Sequence, residues 1–255
     1  MSSRIDIMQD DVYQKLMAFG SELLTHAGDA NDVHWPDETT QRNYTGSTGD
    51  NLMQRTVDFV WVLQGQVPAL GHEGWRGLDY GVGWGRIASL LRYFGDGRAL
   101  DCVDAWGESI KLARDCGLNN QMAQVSATLD PSELPGGDYD FIYAYSIFTH
   151  LPAENIVNNL SVLYEALKPG GRLFFTMREA KFLDYLKTNG AQVRASVDAL
   201  DSDGYWFGNA QSKQYGDTVA TAEWISKHLG RLGSISALGY IDSEPFQTIM
   251  MASRI

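Results

Sequence analysis

The chain has 255 residues, of which 44% are hydrophobic and 20% charged, a composition typical of folded globular domains and unlike that of disordered chains. Lys and Arg together number 20 and Asp and Glu together 32, so the formal net charge is −12. This acidic balance argues against nucleic-acid binding, which depends on clustered cations. The length allows one large domain or two small ones.

The N-terminus predicts no secretory signal, because Asp6 and Asp10 fall where an apolar run would be needed. The most apolar short stretch, Val57 to Leu63, contains Asp58 and is far shorter than the ~20 residues of a membrane span. We therefore expect a soluble, cytoplasmic protein with no membrane partner.

Cys102 and Cys116 are the only cysteines, and both lie in segments predicted to be regular structure. Two reduced, partly buried thiols are expected, with a single disulfide as the alternative. A cluster of cysteines with zinc-binding spacing is absent from the sequence, so we predict no metal site.

Residues 1–75 are predicted to form a helical extension, a candidate lid, with a helical stretch from Leu52 to Leu63. From about Arg76 onward, short apolar runs alternate with helical periodicities, as in βα units around a parallel sheet. Seven strands are predicted, at Gly77–Tyr80, Ala99–Val103, within Met122–Leu129, and at Asp140–Tyr145, Arg172–Met177, Ser234–Ile241 and Gln247–Ala252.

Helices are predicted from Ile87 to Phe94, Glu108 to Cys116, Ala153 to Leu167, Phe182 to Lys187 and Thr218 to Leu229. A loop rich in Gly, Asp and aromatic residues is predicted around Asp198 to Asp217, and residues 191–217 are a candidate substrate-binding insertion. The last two strands are too close in sequence for a parallel crossover, which needs about a dozen residues, so we expect an antiparallel hairpin. The predicted fold class is α/β, with a mostly parallel seven-stranded sheet that has an antiparallel edge.

A glycine motif, Asp79-Tyr-Gly81-Val-Gly83-Trp-Gly85, joins the first strand to the first helix. Glycines allow a tight turn and the close approach of a ligand, and the start of the helix favours an anionic group. The alternative is a tight turn that binds no ligand. Asp104 ends the second strand, where a carboxylate can accept hydrogen bonds from both hydroxyls of a ribose. Together these features predict a nucleoside-binding site.

Four segments in this order resemble the class I S-adenosylmethionine-dependent methyltransferases. They are the Asp-x-Gly-x-Gly-x-Gly loop, Val103-Asp104, Tyr139-Asp-Phe-Ile-Tyr-Ala-Tyr145 and Leu167-Lys-Pro-Gly-Gly171. The resemblance covers about Gly77 to Met177 and implies a Rossmann-like, doubly wound methyltransferase domain over 76–255. The glycine spacing differs from the Gly-x-Gly-x-x-Gly of nicotinamide enzymes.

The resemblance implies that S-adenosylmethionine is the cofactor. It also implies that residues at or near the carboxyl ends of the first four strands bind it: Asp79, Gly81, Val82, Gly83, Asp104, Ala105, Trp106, Ser126, Ala127 and Tyr145. Asp79 would complement the ammonium group and Asp104 the ribose, while Tyr145 would approach the reacting methyl. For Trp106, a core position is the alternative to adenine contact. Asp130 is the alternative to Ser126 and Ala127 at the adenine amino group.

His150, just after the fourth strand, is the candidate general base, with packing or capping of the next helix as the alternative. The Asp/Asn-Pro-Pro-Tyr/Phe element that marks nucleobase methylation in the family does not follow that strand. We therefore expect O-methylation of a small molecule or a carbohydrate, with no nucleic-acid partner.

Three residues are candidate contacts of this acceptor: Tyr44, Arg178 and Trp206. Each has an alternative, namely an ordinary helix-connecting loop for Tyr44, solvent exposure for Arg178, and a loop fixed by its own aromatics for Trp206. Two other functions stay open for the whole chain. One is a non-catalytic nucleoside-binding module or inactive partner subunit, and the other is a nicotinamide-dependent dehydrogenase.

Overall fold

The computed structural model describes residues 10–25, 32–95, 98–188, 200, 202–209, 212–241 and 244–255. Most of the predicted insertion near 191–217 that precedes Gly204 lies outside the described residues. Eight α-helices are described in these ranges: α1 (Asp11–Thr25), α2 (Glu38–Thr45), α3 (Gly49–Gln66), α4 (Arg86–Leu91), α5 (Gly107–Asp115), α6 (Ala153–Glu165), α7 (Lys181–Thr188) and α8 (Ala222–Leu229).

Nine strands are described in the same ranges: β1 (Gly77–Tyr80), β2 (Leu100–Asp104), β3 (Met122–Gln124), β4 (Tyr139–Ala144), β5 (Leu167–Arg178), β6 (Tyr205–Gly208), β7 (Asp217–Ala220), β8 (Ile235–Ile241) and β9 (Glu244–Ser253). Seven of them form one sheet in the order β3-β2-β1-β4-β5-β9-β8, and β6 pairs with β7 separately. Strand β9 is antiparallel to both β5 and β8, whereas the β1–β2, β2–β3 and β4–β5 pairs are parallel. The predicted mostly parallel sheet with an antiparallel edge is therefore confirmed.

The chain divides into two compact units, Met1–Gln124 and Val125–Ile255. In the first unit, α3 turns an apolar face inward, with Leu52, Phe59 and Leu63 fully buried. Helix α1 packs on α3, and β1 and β2 are buried along their whole length. Both strands also bury acidic side chains, Asp79 in β1 and Asp101 and Asp104 in β2.

In the second unit, β4 is buried along its whole length and α6 packs against β5. Three asparagines of α6 hold the segment after β3: Asn155 and Asn159 donate to the Ala127 carbonyl, and Asn158 donates to the Leu129 carbonyl. Buried backbone carbonyls are thereby satisfied without a further strand.

The region around β6 and β7 differs from the prediction. Tyr205–Gly208 is a strand rather than loop, and Thr218–Ala220 belongs to β7 rather than to a helix. Pairing places Trp206 opposite Val219, so aromatic and β-branched residues stabilise the strands across the pair. Thr221 then caps α8 by accepting from the Trp224 N–H, so the helix begins only at Ala222.

Within the described ranges, no helix combines the length and apolar character needed to cross a membrane. Cys102 and Cys116 are buried free thiols. Burial raises the pKa of the Cys102 thiol and raises the pKa of Cys116 to about 11, so both stay protonated and unreactive at neutral pH.

Candidate functional site

The glycine loop between β1 and α4 has the backbone conformation that its glycines permit. Gly81, Gly83 and Gly85 have φ of 92°, 55° and 90°, a region that other residues rarely adopt. The N–H groups of Gly81 and Val82 both donate to the Val103 carbonyl, at 2.8 and 3.1 Å. The loop is therefore fixed to the end of β2, and these two amides serve the fold rather than a ligand.

Asp104 connects this loop to the start of α5. Its Oδ2 accepts from the Gly83 N–H and its Oδ1 from the Trp106 N–H, both at 2.9 Å. Burial raises the pKa of the Asp104 carboxyl, while the bonds from Trp106 and Gly83 oppose that shift. An ionised carboxylate has about four lone-pair positions, so each oxygen keeps capacity for a ribose hydroxyl.

Tyr44 lies at the same glycine loop. A Cβ built on Gly83 would be 3.6 Å from Tyr44 Cδ1, and the Tyr44 hydroxyl is 3.4 Å from Ser109 Oγ. The ring is 39% exposed and comes from α2. This position favours contact with the cofactor over the predicted contact with the acceptor.

Asp79, Trp106 and Ala105 lie around the ends of β1 and β2. The Asp79 side chain is buried in β1, whereas Trp106 precedes α5 with 51% of its surface exposed, so the alternative of a core position for Trp106 is wrong. The Ala105 carbonyl accepts from Gln124 Nε2 at 3.1 Å. An exposed indole beside Asp104 is compatible with adenine contact, which stays a prediction.

The segment after β3 is held by its own polar groups. Both the N–H and the hydroxyl of Ser126 donate to Glu133 Oε1, at 2.9 and 2.6 Å. Asp130 caps the short helix Pro131–Glu133, so its carboxylate has a structural partner. The predicted adenine contacts of Ser126 and Ala127 stay untested, and the cap gives Asp130 a different role.

At the carboxyl end of β4, Tyr145 is 8% exposed and its hydroxyl donates to Glu244 Oε2 at 2.5 Å. Glu244 was not a predicted site residue. It begins β9, which follows β4 by about a hundred residues, and no sequence motif marks it. Only the pairing of β9 with β5 brings it to this end of the sheet.

A chain of buried hydrogen bonds supports this pair. Ser146, with a φ of 62°, donates its N–H to Thr176 Oγ1 at 2.7 Å. Thr176 donates to Gln247 Oε1 at 2.7 Å, and Gln247 Nε2 donates to Ser146 Oγ and Glu244 Oε1, at 3.0 and 2.8 Å. A non-glycine residue at positive φ costs about 1–3 kcal/mol and persists only where its surroundings fix it, as they do here.

His150 lies in a second polar cluster of the same unit. Its Nδ1 is 2.7 Å from the Gly216 carbonyl and therefore donates, which leaves Nε2 as the acceptor, 3.3 Å from Arg178 Nη2. Burial and the Arg178 guanidinium lower the pKa of His150 to about 4. Since the basic lone pair already faces a cation, this geometry favours packing over proton transfer, and the role as a base stays a prediction.

Arg178, at the end of β5, is partly buried rather than solvent-exposed, with 12% of its side chain accessible. Its Nη1 donates to Asp217 Oδ1 at 2.6 Å and to the Thr149 carbonyl at 3.1 Å, and its guanidinium lies over the Phe182 ring. Burial lowers the pKa of Arg178 while Asp217 opposes the shift, and the group stays protonated at neutral pH. Its predicted contact with the acceptor is untested.

Trp206 belongs to a hydrophobic cluster of the second unit. It is 8% exposed and packs with Phe182, Leu183, Leu200 and Val219. A core position of this kind favours the alternative, a segment fixed by its aromatics, over stacking on a sugar or ring.

The arrangement in the first unit fits a nucleoside cofactor, because Asp104 keeps acceptor capacity and the glycines place no side chain of their own in the turn. Residues 78–175 match the family model of the methyltransferase domain. These residues form a class I S-adenosylmethionine-dependent methyltransferase domain. The resemblance found in the sequence is thereby confirmed, and the cofactor of this methyltransferase family is S-adenosylmethionine.

Two curated relatives of this methyltransferase domain have different names. The chain is 34% identical over 104 residues to ribosomal protein L11 methyltransferase of Syntrophotalea carbinolica, covering 40% of this chain and 31% of that protein. It is 26% identical over 130 residues to fusarin C synthetase of Gibberella fujikuroi, covering 49% of this chain and 3% of that protein. The chain thus spans less than a third of the curated relatives it matches.

The fold of the methyltransferase domain also recurs in solved structures. Magnesium protoporphyrin IX methyltransferase from Synechocystis, solved with bound S-adenosylhomocysteine, aligns with a TM-score of 0.54 and 19% identity. The alignment covers 85% of this chain and 93% of that one, so the shared architecture extends beyond the domain match.

Proposed function

We propose that this protein is an S-adenosylmethionine-dependent methyltransferase that methylates a hydroxyl oxygen of a small molecule or a carbohydrate. The observation that carries the proposal is the position of Asp104, whose two oxygens bind the glycine loop and the start of α5. A buried carboxylate with remaining acceptor capacity suits a ribose diol, and glycines at positive φ suit close approach of the rest of the cofactor.

The acceptor class is inferred from composition and from the absence of one element. The chain has a net charge of −12, and Tyr145-Ser-Ile-Phe148 stands where a nucleobase methyltransferase would carry Asp/Asn-Pro-Pro-Tyr/Phe. Both features disfavour a nucleic-acid acceptor, whose phosphates require cationic contacts. A small hydroxylated acceptor is therefore the class that we propose.

The cofactor supplies a methyl group on a sulfonium, which is a good leaving group. The contribution of the chain is then mostly positioning, which supplies about 7–11 kcal/mol when the reacting atoms are held in line. In the first unit, Asp104 would orient the ribose and Tyr44 would cover the glycine loop.

Two measurements test the proposal. Calorimetry should show that S-adenosylhomocysteine binds and that NAD does not, which separates a methyltransferase from a dehydrogenase. Incubation with S-adenosylmethionine labelled in its methyl group and a low-molecular-weight extract of the producing cells should give a labelled small molecule. Binding without any labelled product would instead indicate a non-catalytic nucleoside-binding module. If neither S-adenosylmethionine nor S-adenosylhomocysteine binds, both the methyltransferase and the nucleoside-binding module are overturned.

A further inference from the structure

The hydrogen bond between Tyr145 and Glu244 joins two groups that can pass a proton. The phenol donates to Glu244 Oε2 at 2.5 Å, and Gln247 fixes the other carboxylate oxygen by donating to Oε1 at 2.8 Å. Tyr145 directly follows β4, and ligands of open α/β sheets bind outside the carboxyl ends of the strands. The pair thus lies at the end of a series of polar contacts, on the side of the sheet formed by the carboxyl ends of its parallel strands.

We propose that Glu244 accepts, through the Tyr145 hydroxyl, the proton that the acceptor hydroxyl loses during methyl transfer. The inference rests on the proposed function and deepens it, because it names the groups that take the proton of the attacked hydroxyl. A neutral amine can attack before it loses a proton, whereas a hydroxyl gains from a partner that removes its proton in the transition state.

The step balances without any further reactant. The bond from the acceptor oxygen to the methyl carbon forms as the bond from that carbon to sulfur breaks, and the electron pair stays on sulfur. The proton of the acceptor passes to Tyr145 Oη while the phenolic proton passes to Glu244 Oε2. Glu244 becomes neutral and returns its proton to solvent afterwards. Because the attacking oxygen becomes positively charged, it is acidic enough to give its proton to a phenol that is hydrogen-bonded to a carboxylate.

The surrounding residues hold this geometry. Gln247 is 5% exposed and has its amide oriented by Thr176 and Ser146, so Glu244 Oε1 faces a fixed donor. The conformation of Ser146 at positive φ, held by the Thr176 hydroxyl, directs the backbone immediately after Tyr145. Supporting hydrogen bonds of this kind are what a preorganised reacting group requires.

The other ionisable groups near this pair have different partners. Arg178 lies within electrostatic range of Glu244 but binds Asp217 directly and also interacts with Tyr215, and its Nη2 faces His150 Nε2. Glu179 accepts from Thr248 Oγ1 at 2.6 Å. His150 therefore directs its lone pair at a cation, whereas Glu244 directs a carboxylate oxygen at a phenol.

The test compares Tyr145→Phe and Glu244→Gln with the parent, using label transfer to the acceptor fraction of the extract. Removing a proton acceptor costs about 10²–10⁴-fold in rate, so each variant should transfer label at least about 100-fold more slowly. Because the two groups act as one relay, the double variant should be within about threefold of the slower single variant. Glu179→Gln is the matched control and should keep the parent rate.

Two further readouts separate the relay from a structural role. The affinity for S-adenosylhomocysteine should stay within about twofold in every variant, and Glu244→Asp should recover part of the rate that Glu244→Gln loses.

The possible outcomes are distinguishable. Parent-like transfer by either single variant, or by the double variant, overturns the relay and leaves the proposed function intact. A parent that binds the cofactor but labels no acceptor overturns the proposed function, and the relay falls with it. A Glu244→Gln variant with a slow rate, an unchanged melting temperature and intact cofactor affinity, whose rate is partly recovered in Glu244→Asp, supports the relay.

Discussion

At the scale of single residues, Asp104 combines an observed structural role with a proposed binding role in the first unit. Its carboxylate closes the turn after β1 through Gly83 and holds the start of α5 through Trp106. The same oxygens are the proposed ribose contacts, so folding places the ligand acceptor without further adjustment. Burial of the carboxylate strengthens its hydrogen bonds to hydroxyl groups, since the local dielectric constant is low.

We predict that Asp104→Ala lowers the affinity for S-adenosylhomocysteine at least about 100-fold, because hydrogen bonds to a charged acceptor contribute about 1.5–3 kcal/mol each. Asp115→Ala, at the far end of α5, is the control and should bind like the parent. Isothermal titration calorimetry measures both. Equal affinities of the Asp104 variant and the parent would show that the ribose assignment is wrong.

His150 predicts a dependence of stability on pH. Its pKa is about 4 in the folded chain against 6.5 for an ordinary histidine, because burial and Arg178 disfavour the charged form. The unfolded chain therefore binds more protons between these values, and the free energy of unfolding falls as the pH drops from 6.5 to 4. The loss is about 3 kcal/mol from this residue. Urea unfolding at several pH values should show a smaller loss for His150→Gln, and an identical pH dependence would contradict the assignment.

At the scale of elements, local signals in the sequence predicted β1, the glycine loop and β2. The glycine spacing and the aspartates at the ends of these strands lie within a short stretch of sequence, so the sequence alone indicated Asp79 and Asp104. The strand β6 was missed because its pairing with β7 links Trp206 to Val219 across an intervening loop. Glu244 was missed for the same physical reason, since its partner Tyr145 is distant in sequence and only the sheet brings them together.

In the turn that leads into α4, we expect the single methyl group added by Gly85→Ala to lower the free energy of unfolding strongly. Gly85 has a φ of 90°, and a Cβ built there would be 2.0 Å from Leu118 Cδ1, in the buried region under the loop. Strain and overpacking together should lower the free energy of unfolding of Gly85→Ala by about 2–4 kcal/mol. Gly65→Ala is the control, because nothing lies within 4 Å of its Cβ position in α3. That variant should be stabilised by up to about 1 kcal/mol in urea unfolding. A Gly85 variant as stable as the parent would contradict the described packing.

At the scale of the whole molecule, the domain match covers residues 78–175, and the parts outside it carry residues that the match does not explain. Tyr44 reaches the glycine loop from α2, and Glu244 reaches Tyr145 from β9. Fold alone does not determine function, so we look for the acceptor specificity of this chain in residues outside the domain match. The net charge of −12 supports the acceptor class proposed above, which needs no cationic surface.

Ligand binding to the native chain should raise its melting temperature by mass action. At a concentration of S-adenosylhomocysteine 100 times its dissociation constant, a ligand that binds only the folded state stabilises it by about 2.7 kcal/mol. For a chain of this length, that corresponds to a rise of roughly 5–10 °C. Differential scanning calorimetry should show this rise for the parent and lose most of it for Asp104→Ala at the same ligand concentration. NAD at equal concentration should leave the melting temperature unchanged, since the glycine spacing does not suit a pyrophosphate. A larger shift with NAD than with S-adenosylhomocysteine would contradict the cofactor assignment and favour a dehydrogenase.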